Sequence, residues 1–384
     1  MSSRHHGDFL SCRPMVLLML LAGLGIALAR PAVAGTYRVV GYVTQWNPIE
    51  DRNLDKIDTL IFAFAELKHA RVELDAAAAQ RLRPILALKT QDPHLRVDIS
   101  VGGWEAGGFS EAASTAAGRH TFAQTAAQLL QRTGADGLDV DWEYPGHSES
   151  GIRSSPADRG DFTLLLKDIR ESLDRAGRGD GHVGARHYTL SVAIADGPFV
   201  SGIDIPAISR YVDWFNLMTY DFVNSMTPTT GNHTGLYASK WAPAGARTTN
   251  RAVHEFLAAG VPRSKIIIGV AFYGRAFAGV RPEHRGLYQP YGHFQGMLPW
   301  PELTRNYINR HGYKQYWDAR AKAPYLWNAA TRTFVTYDDP RSIAAKAAYV
   351  RTQHLGGLMY WEQNLDPGGT LLDSIWKGLN PRAH

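Results

Sequence analysis

Apolar residues along this chain come in eight short runs, at residues 37–43, 59–64, 97–101, 137–142, 188–194, 212–219, 266–272 and 357–361. Between several of them lie stretches with helical apolar spacing, at 76–88, 121–132, 161–176 and 342–352. A strand followed by a helix, repeated, predicts a parallel sheet, and eight repeats predict an α/β fold closed into a (β/α)8 TIM barrel. Such a barrel needs about 250 residues, whereas the chain has 384. The surplus falls between the seventh and eighth runs, where residues 276–337, rich in aromatic residues and proline, predict a small α+β insertion. A doubly wound nucleotide fold would want a glycine-rich loop after its first strand, but after Val43 the chain reads Thr44-Gln45-Trp46-Asn47-Pro48.

The first 34 residues read as an export signal rather than as fold. Arg4 and Arg13 make the start positive, residues 15–28 form an apolar run, and Ala32-Val33-Ala34 gives the small-x-small pattern before Gly35. Fourteen residues rise about 21 Å as a helix, short of the ~30 Å hydrocarbon core. Cleavage is therefore expected, giving a secreted, extracellular or periplasmic protein without stable membrane association. Arg30, between the run and the cleavage pattern, leaves a retained anchor as the alternative. Residues 35–384 would form the catalytic barrel. The one cysteine, Cys12, would leave with the signal, so neither a disulfide nor a thiolate is expected in the mature chain.

Composition narrows the partners. Hydrophobic residues make up 45% and charged residues 20%, which excludes a disordered chain. Lys and Arg outnumber Asp and Glu by 41 to 36, for a net charge of +5. Losing Arg4, Arg13, Arg30 and Asp8 with the signal leaves +3. A nucleic-acid binder would concentrate its basic residues in a stripe, and none is visible. The histidines have no compact ligand spacing, so neither a metal nor a cofactor is expected. A monomer is expected.

Chemistry concentrates in the fourth run, Asp136-Gly137-Leu138-Asp139-Val140-Asp141-Trp142-Glu143-Tyr144-Pro145. Alternate residues of a strand share a face, so Asp139, Asp141 and Glu143 point one way while Val140 and Trp142 point the other. In a barrel the inward row climbs toward the C-terminal mouth, placing Glu143 highest and Asp139 deepest. Like charges this close cannot all ionise freely, so the row should hold at least one proton at working pH, which supplies a general acid. Burying carboxylates without a task costs several kcal/mol each, so a merely structural row is disfavoured. A calcium loop counted from Asp139 fails, with Tyr144 at the sixth position where glycine is needed and Ser150 at the twelfth where glutamate is needed.

The segment resembles the DxxDxDxE signature of family 18 glycoside hydrolases, the chitinases and their relatives. Ser100-Val101-Gly102-Gly103-Trp104 is similar to the family's third-strand motif, and Met218-Thr219-Tyr220-Asp221-Phe222 to its sixth. Gly269-Val270-Ala271-Phe272-Tyr273-Gly274-Arg275 resembles the seventh, with Ala271 where proline is usual, and Gly356-Gly357-Leu358-Met359-Tyr360-Trp361 the eighth. The resemblance spans residues 37–376 and identifies the insertion with that of the deep-cleft branch.

By this resemblance Glu143 protonates the glycosidic oxygen, Asp141 positions the substrate's own acetamido group, and Asp139 balances Asp141 from below. The nucleophile is the substrate's N-acetyl oxygen, outside the two-carboxylate scheme. Tyr220 and Asp221 would steer the amide, and Tyr42 and Ser100 would sit beneath the row. Trp361 would form the floor of the cleavage subsite, Trp104 would border the glycone side, and Trp46 is a further candidate on the first loop. Phe64, Gly103, Tyr144, Met218, Tyr273 and Arg275 complete the expected substrate-binding set, with Arg275 either touching sugar or bracing the insertion. Many relatives carry a tryptophan four residues after the sixth motif, whereas Asn224, Ser225 and Met226 stand here. That implies a missing stacking platform for the leaving group. The expected substrate is chitin or a chitooligosaccharide. An enzyme of the same chemistry on cell-wall glycan or N-glycan cores stays open, as does a chitinase-like lectin, which would keep the cleft but replace the acid. Asn232-His233-Thr234 is a formal glycosylation acceptor in the loop after the sixth strand.

Overall fold

The computed structural model describes residues 37–44, 46 and 53–381. The expected export signal and Cys12 lie outside these residues. Eight parallel strands close into a barrel: β1 (Arg38–Thr44), β2 (Thr59–Lys68), β4 (Arg96–Gly102), β5 (Gly137–Asp141), β6 (Thr189–Ile194), β7 (Trp214–Leu217), β8 (Ile266–Ala271) and β14 (Gly357–Trp361). β1 pairs with both β14 and β2, which completes the ring. The β4, β5, β6 and β8 strands are buried almost throughout, but only β8 is an unbroken apolar run; β4, β5 and β6 bury Asp98, Ser100, Asp139, Asp141, Thr189 and Ser191 among their apolar residues. One short strand, β3 (Arg71–Glu73), folds back antiparallel on the end of β2 and was not visible as an apolar run.

The expected helices are present, at Ala76–Ala87, Ala116–Thr133, Asp158–Asp180 and Pro340–Gln353, and the last three extend beyond the stretches that predicted them. Their ends follow local chemistry. Asp75 caps the first through Ala78 N, Thr115 caps the second through Gly118 N, and Gly134 and Gly181 close the second and third in the left-handed conformation. Asp339 and Ser342 form a reciprocal capping box at the fourth, with Pro340 at its first position.

The insertion is a five-stranded antiparallel sheet in the order β10-β9-β13-β12-β11, from β9 (Tyr273–Ala278), β10 (His293–Pro299), β11 (Lys314–Asp318), β12 (Ala323–Asn328) and β13 (Thr333–Tyr337). It begins at Tyr273 rather than at residue 276. Only Phe272 separates β9 from β8, so the apolar run continues across the change of sheet. Phe277, Leu287, Trp327 and Phe334 give the insertion its own core. The short helical turns at Trp300–Glu302 and Leu303–Tyr307 make it α+β, as expected.

Candidate active site

At its C-terminal mouth the barrel opens into a cleft of about 780 Å³. β5 ends at Asp141, so Asp139 and Asp141 point inward from the strand while Glu143 stands just beyond its end. On the opposite face Trp142 is buried and stacks on Phe109, with ring centroids 5.4 Å apart. That packing holds the alternation, because slipping by one residue would drive Trp142 into the cleft and the carboxylates into the apolar shell.

Asp139 lies at the base, fully buried within a ring of donors. The Tyr42 hydroxyl donates at 3.0 Å and Ser100 at 2.8 Å to one oxygen, and Ser191 at 2.6 Å and Asn216 Nδ2 at 3.3 Å to the other. Asn216 also donates to the Tyr42 oxygen at 3.1 Å, and Trp214 fixes its amide orientation by donating to Oδ1 at 3.1 Å. Burial raises Asp139, and these donors oppose the shift by favouring its charged form.

Asp141 has no such company. Its Oδ1 is buried without a hydrogen-bond partner, and burial, with the Glu143 and Asp139 charges adding to it, pushes the carboxyl well above its usual range. Glu143 is raised to about 7, chiefly by burial, against a hydrogen bond from Tyr144 and with the Asp221 charge adding to the rise. The row therefore carries protons near neutrality, as the sequence spacing predicts.

The third-strand motif has a steric reason. Gly102 (φ +120°) passes so close to β5 that a Cβ would sit 2.1 Å from the Asp141 carbonyl oxygen. At Gly103 (φ +97°) a Cβ would meet the Phe64 ring at 2.7 Å. Side chains are excluded on both counts. Phe64 in turn stacks on Trp361, with centroids 5.9 Å apart and planes at 23°, and Tyr42 tilts against the same indole at 5.6 Å.

Across the cleft, Tyr220 is kept protonated by burial, and its hydroxyl makes a long contact of 4.0 Å to the Met359 sulfur. Asp221 has a left-handed backbone (φ 52°) and forms a two-pronged pair with Arg275, whose Nε lies 2.7 Å from Oδ1 and whose Nη2 bonds Oδ2. The buried His233 reaches the same carboxylate, with Nδ1 3.4 Å from Oδ1. Burial alone would raise Asp221, but His233 and Arg275 outweigh it and hold the carboxyl well below its usual range. The Arg275 guanidinium also lies 4.9 Å over the Tyr273 ring. Arg275 on β9 thus joins the insertion to the β7 loop through Asp221 while lining the cleft.

Of the expected site residues, Ser100 and Asp139 lie beneath the cleft, and the rest line it together with Trp46 and Met226. Trp104 is 45% exposed and meets Tyr144 edge-on at 6.3 Å. Met226 is 53% exposed on a turn held by the Tyr291 hydroxyl, which donates to Thr227 O at 2.7 Å. The glycosylation acceptor needs correction: Asn232 is buried and its amide donates to Asp318 at 3.1 Å, so it is not available for modification. Ser191, Asn216 and His233 were missed among the site residues. Ser191 and Asn216 had left a trace, each being a polar residue among the apolar positions of its strand.

A deep aromatic cleft lies above a row of proton-holding carboxylates at the C-terminal mouth of a (β/α)8 barrel, where barrel enzymes place their active sites. The profile of glycosyl hydrolases family 18 matches residues 38–366, and the chain belongs to that family. It is 38% identical to chitinase A1 of Niallia circulans over 78% of its own length, but spans only 45% of that protein. It is 31% identical to mouse chitotriosidase-1, covering 86% of this chain and 73% of the relative. Among solved structures, a family 18 N-acetylglucosaminidase from Paenibacillus barengoltzii superposes with a TM-score of 0.84 at 41% identity, over 89% of this chain and 99% of the other.

Proposed function

We propose that the chain is a secreted enzyme that hydrolyses β-1,4 linkages between N-acetylglucosamine units in chitin or its oligomers, by substrate-assisted catalysis with retention. The observation that carries this reading is the pairing of Glu143, held near pH 7, with an Asp141 carboxyl that lacks a partner for its buried oxygen. Asp141 is free to take the acetamido N–H, and Tyr220 supplies a neutral O–H for the carbonyl side of the same group. Held in this way, the carbonyl oxygen attacks the anomeric carbon while Glu143 gives its proton to the departing oxygen. The acid then works as a base on the incoming water. Asp139, fixed by four donors, balances Asp141 as the latter's charge changes.

Trp361, braced by Phe64 and Tyr42, serves as the apolar floor for the sugar that carries the reacting acetamido group. Trp104 adjoins Tyr144 on the flank of the acid, which suits the leaving-group side and revises the glycone placement expected above. The name of the Paenibacillus relative and the exposed Met226 at the rim favour a second reading, an N-acetylglucosaminidase acting on short chains. The intact acid weighs against a lectin.

Glu143→Gln keeps the shape and removes the proton, so turnover of an N-acetylglucosamine oligomer should fall by about 10²- to 10⁴-fold with binding retained. Wild-type turnover should decline as pH rises through about 7, where Glu143 loses its proton. A variant retaining more than roughly a tenth of the rate would lie outside that range and would remove Glu143 from the role of acid.

A further inference from the structure

Tyr144 continues outward from the acid into a wall built by the connections after β5, β6 and β7. Its ring lies 4.2 Å from Phe199, in the loop after β6. On Phe199 rests the guanidinium of Arg247, 5.5 Å from the centroid, and the same guanidinium lies 5.1 Å from the centroid of Phe222. Arg247 comes from the segment just before the helix Thr249–Ala258, far from the chemistry in sequence, yet it lines the cleft with its side chain 22% exposed.

Its polar edge is fixed as firmly as its faces. Nε donates to Asp196 Oδ1 at 2.9 Å and Nη2 bonds the same oxygen. Asp196 is buried and its other oxygen has no partner, so its pull on the guanidinium is undivided. Among the described residues Nη1 has no acceptor. A cation whose planar faces and two of whose nitrogens are held by protein, with the third nitrogen free at a cleft wall, is a preorganised donor.

The acid protonates the oxygen that leads to the departing sugar, while Asp141, Tyr220 and Trp361 surround the sugar that stays. The wall beyond Glu143 and Tyr144 therefore faces the leaving group. We infer that Arg247 is a specificity-determining residue that donates through Nη1 to a hydroxyl or acetamido oxygen of the leaving sugar, favouring a carbohydrate over an aryl leaving group. The inference rests on the hydrolase reading above and assigns a residue to the side of the cleft where the expected tryptophan platform is replaced by Met226.

The test compares kcat/KM for the N-acetylglucosamine tetramer with that for the 4-methylumbelliferyl β-glycoside of the N-acetylglucosamine dimer, whose aryl group occupies the leaving side. In Arg247→Met, which preserves an unbranched apolar stem between the two phenylalanines, the ratio of tetramer to aryl glycoside should fall roughly tenfold, the effect of losing one charge-assisted hydrogen bond. Arg247→Lys, which lacks the planar fork, should shift the ratio in the same direction, and decides the matter if the methionine variant does not fold. An equal loss on both substrates, an unchanged ratio, or a displaced acidity profile with the aryl glycoside would overturn the inference, the last by showing that Arg247 acts through Tyr144 on the acid. If the wild-type protein cleaves neither substrate, the hydrolase reading fails first and the inference falls with it.

Discussion

Behind the β7 loop lies a buried ion pair whose disruption has a calculable outcome. Lys346, on the helix Pro340–Gln353, has no exposed side-chain surface, and its Nζ lies 2.6 Å from Asp338 Oδ2 and also bonds Thr234 Oγ1. Asp338 further accepts from Ala271 N at 3.2 Å, Thr234 Oγ1 at 2.9 Å and Ser342 Oγ at 2.6 Å. Lys346→Met keeps the stem and removes the cation, leaving a buried carboxylate with three neutral donors. Breaking a buried pair from one side costs about 3–5 kcal/mol, and the remaining donors favour the lower end. At about 2.1 cal/mol/K of unfolding entropy per residue, a fold of about 350 residues shifts by ~1.4 °C per kcal/mol, so the unfolding midpoint should drop by about 4–7 °C. Because Thr234 also bonds the carbonyl of Thr219, the residue before Tyr220, turnover should fall too. Adding Asp338→Asn should restore part of the stability, since the double variant buries no unpaired charge. Thermal unfolding of the wild type, both single variants and the double variant provides the assay. A Lys346→Met protein melting within about 2 °C of wild type, or a double variant less stable than the lysine variant alone, would refute the reasoning.

Two further outcomes follow from the cleft and the barrel interior. Trp361→Ala, in the Glu143→Gln background, should weaken binding of an N-acetylglucosamine oligomer by about 1–3 kcal/mol in calorimetry, and unchanged affinity would show that the indole is not the floor. Asp98, pointing into the barrel below Ser100 with one oxygen bonded by Thr189 at 2.7 Å and the other unpartnered, is raised by burial to about 7. The folded state thus binds more protons than the unfolded chain between about pH 4 and 7. Wild-type stability falls through that window and levels off above it. Asp98→Asn lacks this penalty, so its midpoint should gain on the wild type from about pH 4 to 7 and keep a constant lead beyond; a pH-independent difference would contradict the assignment.

The barrel was legible because its strands are covered on both faces, so that short segments rich in apolar residues survive in the sequence wherever β4, β5, β6 and β8 lie, even where single polar residues interrupt them. β3 was not, since three residues with Arg71 and Glu73 at their ends carry no apolar signal. The start of β9 was hidden by its continuity with β8. Within the site, the carboxylate row could be read from spacing because all three members come from one segment. Asp98, Ser191 and Asn216 were legible in principle, each being a polar residue inside an apolar strand, which requires a partner in the barrel interior. Arg247, His233 and Lys346 were not. Arg247 lies 51 residues from Asp196 and Lys346 lies 112 from Thr234, while His233 reaches Asp221 only because the loop doubles back, with Phe222 N donating to His233 O; no spacing in the sequence announces these meetings.

The account turns on the substrate supplying its own nucleophile, with Glu143 as the acid and Asp141 engaged with the acetamido group. Proton NMR of an oligomer digest at early times reads this directly, because attack by the acetamido oxygen and then by water each inverts the anomeric centre. The account predicts the β anomer as the first-formed product and no turnover of a fully deacetylated oligomer. An α anomer appearing first, or ready cleavage of the deacetylated oligomer, would contradict it.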